Sequence, residues 1–330
     1  MKKKVVCVTP AGRRKYMRLL IPQILMSDTV DRYDIWLNTG DSRDIAFLEY
    51  AASKYSKINI IPQPEGKVNG NKSINAFFKT ACDEDSIYIR LDDDIVWIEP
   101  DFFDKMAKER LEDSSSFLLS PLVINNSICT HLLQQEGKYH YPEFLPAYSF
   151  SPLTWGDANF AYKLHDWFLK ILEHNKLDNI KLHKRFDIAL NRFSINSISW
   201  YGSVMKSFNA VILDDEEEYL TTIKGRELGK INKIIGNVVV GHFAFYSQRA
   251  LLDESDLLDR YSLAAKKTYS YNPEFENISN DLESKIIEIE KDFIEKKLNE
   301  NYFDKLKVKM KEAYKNIYVP IITFKKVGSL

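Results

Sequence analysis

The segment Ile87-Tyr88-Ile89-Arg90-Leu91-Asp92-Asp93-Asp94-Ile95 decides the expected architecture. Ile87, Ile89 and Leu91 alternate as on a buried strand, and that strand runs straight into three aspartates. Carboxylates a few ångströms apart repel one another, so the triplet calls for positive charge among them. In extended chain Asp92 and Asp94 project to one side, while Asp93 points the other way, toward backbone amides or other donors. Two carboxylates on one side are half of a site for a hard divalent cation. Mg²⁺ or Mn²⁺ completes such a site with water and substrate phosphate oxygens, which implies a substrate carrying a diphosphate. The competing reading is an acidic strand end or helix N-cap neutralised by Arg90, with no ligand. Placement at the carboxyl end of a strand favours the first, because open α/β sheets bind ligands along that edge.

Upstream, short apolar runs alternate with helix-like segments, the pattern of βαβ units and a mostly parallel sheet. Lys4 to Val8 reads as the first strand, Thr9-Pro10-Ala11-Gly12 as a turn, and Arg13 to Met26 as a helix with Tyr16, Leu19, Leu20, Gln23 and Ile24 at helical spacing. Tyr33 to Leu37 reads as a second strand. Asn38-Thr39-Gly40-Asp41 then suits a turn and a helix N-cap before Ile45 to Tyr55. Lys57 to Ile61 is the third strand, Pro62 to Asn71 a loop, and Lys72 to Cys82 a helix. The expected fold class is α/β, a mostly parallel sheet flanked by helices.

From about Asn125 the chain becomes aromatic-rich and turn-broken, with Trp155, Trp167 and Trp200, as for a second lobe built onto the sheet. Asn209 to Leu213 and Asn237 to Tyr246 are strand-like and return the chain to the sheet. The division expected is residues 1–125, 126–254, and a helical C-terminal extension over 255–330. In Asp281 to Asn316, the residues Ile286, Ile289, Phe293, Leu298, Tyr302, Leu306 and Met310 fall near helical spacing among many charges. That apolar stripe suits packing on its own domain, peripheral membrane contact or self-association.

Composition removes several classes. A chain of 330 residues with 45% apolar and 28% charged residues is globular, of about two domains, and neither disordered nor fibrous. Its 46 Lys+Arg against 47 Asp+Glu leave a charge of −1, so the cation excess of a nucleic-acid binder is missing and no nucleic-acid partner is expected. Cys7, Cys82 and Cys129 are far apart, in no metal-binding spacing, and suit a reducing compartment. Lys2-Lys3-Lys4 resembles the start of a secretion signal, but the apolar run after it stops at Thr9-Pro10. Nowhere are there the roughly 18 uninterrupted apolar residues of a membrane span. The expected location is cytoplasmic, at most peripheral to a membrane.

The order of these features resembles one family. With strand one ending in Thr9-Pro10-Ala11-Gly12-Arg13 and strand two near Asp41, Ile87 to Ile95 is similar to the DxD segment of GT-A-fold glycosyltransferases, which move a sugar from a nucleotide diphosphate. The resemblance covers residues 1–125 well and 195–250 loosely. It implies that Pro10, Ala11, Gly12 and Arg13 line the base and ribose, Gly12 permitting close backbone approach. It nominates Asp41, or else Asp44, for the base, against a plain turn-capping role. Arg13, Arg14, Lys67 and Lys72 become candidates for neutralising the diphosphate, with Asp92 and Asp93 beside the nucleotide-sugar. Asp92 and Asp94 would hold Mn²⁺ or Mg²⁺ together with His242, which follows Val238-Val239-Val240-Gly241, since neutral imidazole is a competent ligand. The rival role for His242 is that of a hydrogen-bonded core histidine.

Inverting members of the family take the acceptor proton with a carboxylate. Asp214-Asp215-Glu216-Glu217-Glu218 is the candidate run, with Asp215 first choice and Glu216 second. It follows Trp200-Tyr201-Gly202, reminiscent of the family's acceptor elements, and Trp155, Trp167 and Trp200 are candidates for stacking on sugars. A retaining enzyme of this fold would use the same pocket without such a base. The resemblance thus implies metal-dependent transfer from a nucleotide-sugar donor, a UDP-sugar by expectation, to a glycan or glycolipid acceptor hydroxyl in surface polysaccharide synthesis. Two alternatives stay open. One is a sugar-phosphate nucleotidyltransferase, whose glycine-rich GxGxR loop is missing from Thr9 to Arg14; the other is a non-catalytic carbohydrate-binding protein of the same fold.

Overall fold

The computed structural model describes residues 3–327, of which 299–306, 308 and 312–327 are described by their backbone alone. The side chains of Tyr302 and Leu306, counted in the expected apolar stripe, therefore lie outside the described residues. The strands are β1 (Lys4–Ala11), β2 (Arg32–Leu37), β3 (Ile58–Ile61), β4 (Ser86–Leu91), β5 (Ile95–Ile98), β6 (Leu119–Ile124), β7 (Arg185–Ala189), β8 (Ser197–Tyr201) and β9 (Asn232–His242). They form one sheet in the order β3-β2-β1-β4-β8-β6-β9-β5, with β7 also paired to β9. The first four positions, β3-β2-β1-β4, are parallel, and helices flank the sheet, so the α/β class read from the sequence is the one the chain adopts. Beyond β4 the sheet is mixed: β8 runs antiparallel to β4 and β6, and β9 runs parallel to β6.

The strands form where apolar residues can be covered on both faces. Every residue of β4, β5, β6 and β8 is buried. Helix Arg14–Leu25 lays Tyr16, Met17, Leu20, Ile21 and Ile24 onto the sheet. On one side Trp36 stacks on Phe77 at 5.4 Å and Trp200 on Tyr88 at 5.7 Å; elsewhere in the core Trp97 meets Phe168 edge-on at 5.4 Å. Burying side chains of this size stabilises by about 1.5–3 kcal/mol each.

Several boundaries differ from expectation. The first strand continues through Thr9-Pro10-Ala11, paired to Ile35, Trp36 and Leu37, instead of turning at Thr9. Pro10, which has no N–H to donate, falls where pairing with β4 has already stopped at Val8. The helix expected over Lys72 to Cys82 is a shorter 3₁₀ turn, Ile74–Thr80. Asn209 to Leu213 is not a strand: Asn209, Ala210 and Asp214 have φ of 58°, 51° and 50°, left-handed backbone that a strand excludes. The strand returning here is β8, and Trp200-Tyr201-Gly202 is a core element. Trp200 donates its indole N–H to Ala81 O, and a Cβ on Gly202 would stand 2.1 Å from Asp83 O. Because Tyr201 pairs with Ile87 and Ser197 with Leu91, this element sits at the opposite end of β4 from the aspartates.

The chain forms two compact units, Met1–Glu283 and Ser284–Leu330, and the helix Pro273–Val327 runs through the boundary. Among the described residues no helix is long and apolar enough to cross a membrane.

Candidate active site

At the carboxyl ends of β1 and β4 and the end of β9 lies a cavity of about 1060 Å³. All three aspartates of the triplet line it, with Pro10, Gly12, Arg13, Lys72, His242 and the acids of 214–217. The triplet is a tight turn between β4 and β5, closed by the Ile95 N–H donating to Asp92 O at 3.1 Å. Strand alternation therefore does not apply, and each carboxylate goes its own way.

Asp93 accepts from the Gly12 amide at 2.9 Å and from Arg13 Nε at 3.1 Å. On the other side of Gly12 the chain after β2 packs closely, so that a Cβ there would lie 3.1 Å from Asn38 O. Asp94 meets Arg13 at 3.1 Å, Arg249 at 3.2 Å and His242 Nε2 at 3.5 Å. Asp92 takes Arg90 through Nε at 3.1 Å and Nη2 at 2.9 Å, with Asn196 Nδ2 at 3.4 Å. Arg90 also grips both oxygens of Glu216, at 3.0 and 3.1 Å. Positive charge thus reaches the triplet from Arg13, Arg90 and Arg249, and Arg90 does neutralise Asp92. Burial and the facing charges of Asp94 and Glu216 push the Asp92 carboxyl up, against Arg90; burial also opposes ionisation of Asp94, but Arg13 and Arg249 hold it down.

His242 is buried, and burial lowers its pKa, so it is neutral at ordinary pH. Its Nδ1 lies 3.0 Å from Asn125 O, a carbonyl that only accepts, so the ring proton sits on Nδ1. The Nε2 lone pair then faces the Asp94 carboxylate at 3.5 Å: two electron-pair donors turned toward one another. A buried neutral histidine elsewhere shows the contrast. His165 has both nitrogens satisfied, by Tyr261 OH and Phe243 O, each at 2.7 Å.

Main-chain pairing fixes the His242–Asp94 relation. Ile95 pairs with His242 across β5 and β9, and the Phe243 amide donates to Asp94 O at 2.8 Å. The donor pair suits a borderline divalent ion, carboxylate oxygen with imidazole nitrogen. Among the described residues, however, no three His, Cys, Asp or Glu side chains are grouped to hold a metal. The structure brings Asp94 and His242 together, while Asp92 is taken up by Arg90.

The other nominated residues divide. Ala11 is fully buried, and Asp41 stays outside the cavity lining: it caps helix Ser42–Lys54 by accepting from the Arg43 amide at 2.8 Å, and the Arg43 side chain holds its pKa down to about 2. Asp44 is buried against Arg14, at 2.6 Å. Arg14 and Lys67 do not line the cavity, whereas Lys72 does and makes no salt bridge among the described residues. Trp155 lines it; Trp167 packs on Tyr139 at 4.9 Å.

The acidic run lines the same cavity and is joined to the triplet through Arg90, which holds both Asp92 and Glu216. Asp215 caps the turn Glu216–Glu218, accepting from the Glu218 amide at 2.9 Å, and pairs with Arg192 at 2.9 Å; against desolvation, that amide and then Arg192 hold its pKa down. Glu217 accepts from Arg192 Nε through Oε1 at 2.9 Å, and burial pushes its pKa up to about 7. Sequence reasoning missed Arg192 and Arg249, which carry no motif, and Asn125, whose φ of 61° at the end of β6 is invisible in composition. It also missed Phe245 and Tyr246, which follow His242 closely enough that their place beside it was legible.

No protein-family model matches the chain, and no curated protein does. Solved structures with similar architecture include TarS residues 1–349 from S. aureus, 11% identical, covering 87% of this chain and 80% of that one with a TM-score of 0.43. Glucosyl-3-phosphoglycerate synthase from Mycobacterium tuberculosis, complexed with Mn²⁺, UDP and glucosyl-3-phosphoglycerate, is 12% identical over 81% of this chain and 80% of that one, TM-score 0.42. The CMP:2-keto-3-deoxy-manno-octonic acid synthetase with CTP is 12% identical over 80% and 99%, TM-score 0.42. Likeness at this level carries no argument about activity or ligand.

Proposed function

We propose that the chain is a metal-dependent glycosyltransferase that moves a sugar from a nucleotide-diphosphate donor, a UDP-sugar, to a hydroxyl of a glycan or glycolipid. The observation that carries this is the neutral His242 lone pair aimed at the Asp94 carboxylate inside the cavity, an arrangement that a cation between them would relieve. Charge supports it: Asp92, Asp93, Asp94, Asp214, Asp215, Glu216 and Glu217 outnumber Arg13, Lys72, Arg90, Arg192 and Arg249 around the lining. A diphosphate meets net repulsion there unless it brings or finds a divalent ion.

Asp94 and His242 would hold Mn²⁺ or Mg²⁺, with Asp92 the adjacent carboxylate. When bound, the ion would neutralise charge developing on the departing diphosphate. Pro10, Gly12 and Arg13 shape the nucleoside side, and Lys72 is the lining cation left over for phosphate. Asp93 holds Arg13 and the Gly12 amide in place. A carboxylate of the 214–217 run would take the acceptor proton. We place the reaction in surface polysaccharide synthesis on the cytoplasmic side of the membrane.

The test is the thermal melting of the full chain with UDP, Mn²⁺ and both together. UDP should raise the melting temperature only with Mn²⁺, because a ligand bound to the native state alone stabilises it. Asp94→Asn should abolish the Mn²⁺-dependent increment. A UDP shift that ignores Mn²⁺ would sink the metal assignment, and pyrophosphate release from nucleoside triphosphates would replace sugar transfer with nucleotidyl transfer.

A further inference from the structure

A file of rings runs from the exposed Tyr148 to the candidate metal pair. Tyr148 meets Phe150 at 6.2 Å, Phe150 meets Trp155 at 5.6 Å, Trp155 meets Phe245 at 6.0 Å, and Phe245 meets His242 at 4.7 Å. Tyr148 is 56% exposed and Phe150 38%, large apolar surfaces left uncovered beside a polar site. Tyr246, 86% exposed, lines the same cavity. Arg192 lies over the Phe150 ring at 4.4 Å and holds Glu217 through Nε at 2.9 Å, which fastens one carboxylate alongside the rings.

The four lining acids of the run are not equivalent. Glu216 has both oxygens on Arg90. Asp215 spends one oxygen on the Glu218 amide and the other on Arg192. Asp214 is exposed. Glu217 is half-buried, with its Oε1 on Arg192 and a further hydrogen bond from the neutral Ser194 side chain.

From this geometry we infer that the ring file Phe150–Trp155–Phe245 with Tyr246 is the acceptor platform, that it takes an uncharged glycan, and that Glu217 removes the acceptor proton. The inference rests on the glycosyltransferase reading above. Aromatic faces suit the apolar faces of sugar rings, and the neighbouring acids repel a phosphorylated acceptor. In the step, the acceptor oxygen forms its bond to the anomeric carbon as its proton passes to Glu217. The anomeric C–O bond breaks with its electron pair leaving on the diphosphate. The charged groups facing Glu217 are Arg192 and Asp215, and Ser194 offers a hydroxyl; burial outweighs Arg192 and places the titration near neutrality.

The experiment uses the full chain with UDP and Mn²⁺ and measures saturation-transfer NMR for maltotetraose, cellotetraose, chitotetraose and polyglycerol phosphate. A neutral oligosaccharide should bind, Trp155→Ala should weaken it at least about tenfold with the UDP/Mn²⁺ melting shift intact, and polyglycerol phosphate should not bind. Absence of all glycan binding, preference for polyglycerol phosphate, or indifference to Trp155→Ala would overturn the platform. UDP release from UDP-glucose, UDP-galactose or UDP-N-acetylglucosamine, stimulated by the bound glycan, should rise with pH to a plateau above about 7. Glu217→Gln should cut it by about 10²–10⁴-fold with the melting shift preserved, and Glu217→Asp should restore part of it. Full activity in Glu217→Gln would remove Glu217 from the reaction. Loss of the UDP/Mn²⁺ shift in the unaltered chain would instead bring down the glycosyltransferase reading itself.

Discussion

The cavity has two acidic walls, and they differ in how their charge is kept. The triplet Asp92-Asp93-Asp94 closes a buried strand, with Asp93 and Asp94 themselves buried and Asp92 held by the buried Arg90. The run Asp214 to Glu218 sits on a loop and a single short turn, tied down mainly by Arg192. The first wall is charge embedded in a sheet edge, where removing a partner strands a carboxylate out of water. The second carries Asp214, Asp215 and Glu218 at an exposed rim, where water replaces a lost partner, with Glu216 and Glu217 half-buried. The same residue type therefore has opposite consequences in the two places, and side-chain surroundings decide which.

Arginine deletion is the sharpest way to break this contrast. Arg90→Ala leaves Asp92 and Glu216 without their shared cation and should cost about 3–5 kcal/mol in urea denaturation. Arg192→Ala should cost under about 1 kcal/mol, as for partly exposed pairs. Equal losses would erase the distinction between the walls.

Acid should loosen the side behind the triplet. Burial depresses the His165 pKa to about 3, far below its ordinary value, so the unfolded chain binds the extra proton between those limits. The His165 contribution is complete above about pH 6.5 and declines as pH falls toward 3, by up to about 1.4 kcal/mol per pH unit. His165 donates to Phe243 O, and the Phe243 amide holds Asp94 O, so this loss is felt at the site. Urea titrations across pH should show the slope, and His165→Gln should flatten it; an unchanged slope would assign it elsewhere.

A smaller effect separates capping from catalysis. Asp215→Ala removes the cap of Glu216–Glu218 and should cost about 1 kcal/mol in the same denaturation. A loss several times larger would mean that the second wall is as embedded as the first.

The α/β half was legible because its strands alternate cleanly and its turns carry Gly, Asn and Asp; Ile87, Ile89 and Leu91 lie on a buried strand as read, and Arg14–Leu25 differs from the reading by one residue at each end. The return to the sheet was harder. Ser197–Tyr201 is short and contains Trp200-Tyr201-Gly202, which looks like a binding element but packs in the core because β8 runs antiparallel and carries it away from the aspartates. Asn209 to Leu213 has apolar residues at strand spacing, yet backbone in the left-handed region prevents pairing. At the site, the acids were visible as runs. Their arginine partners were not, because Arg192 and Arg249 come from distant segments with no spacing relation to the runs they neutralise.

The three strand ends that meet at Asn125, Asp94 and His242 are held in register by ladder hydrogen bonds, to which the side chains add. Inserting a single residue into Asn232–His242 would invert every side chain beyond it, turning the imidazole from the cavity to the opposite face. Side-chain replacement elsewhere leaves that spacing untouched, so the ring-lined wall can be rebuilt while the ladder keeps the imidazole and carboxylate in step.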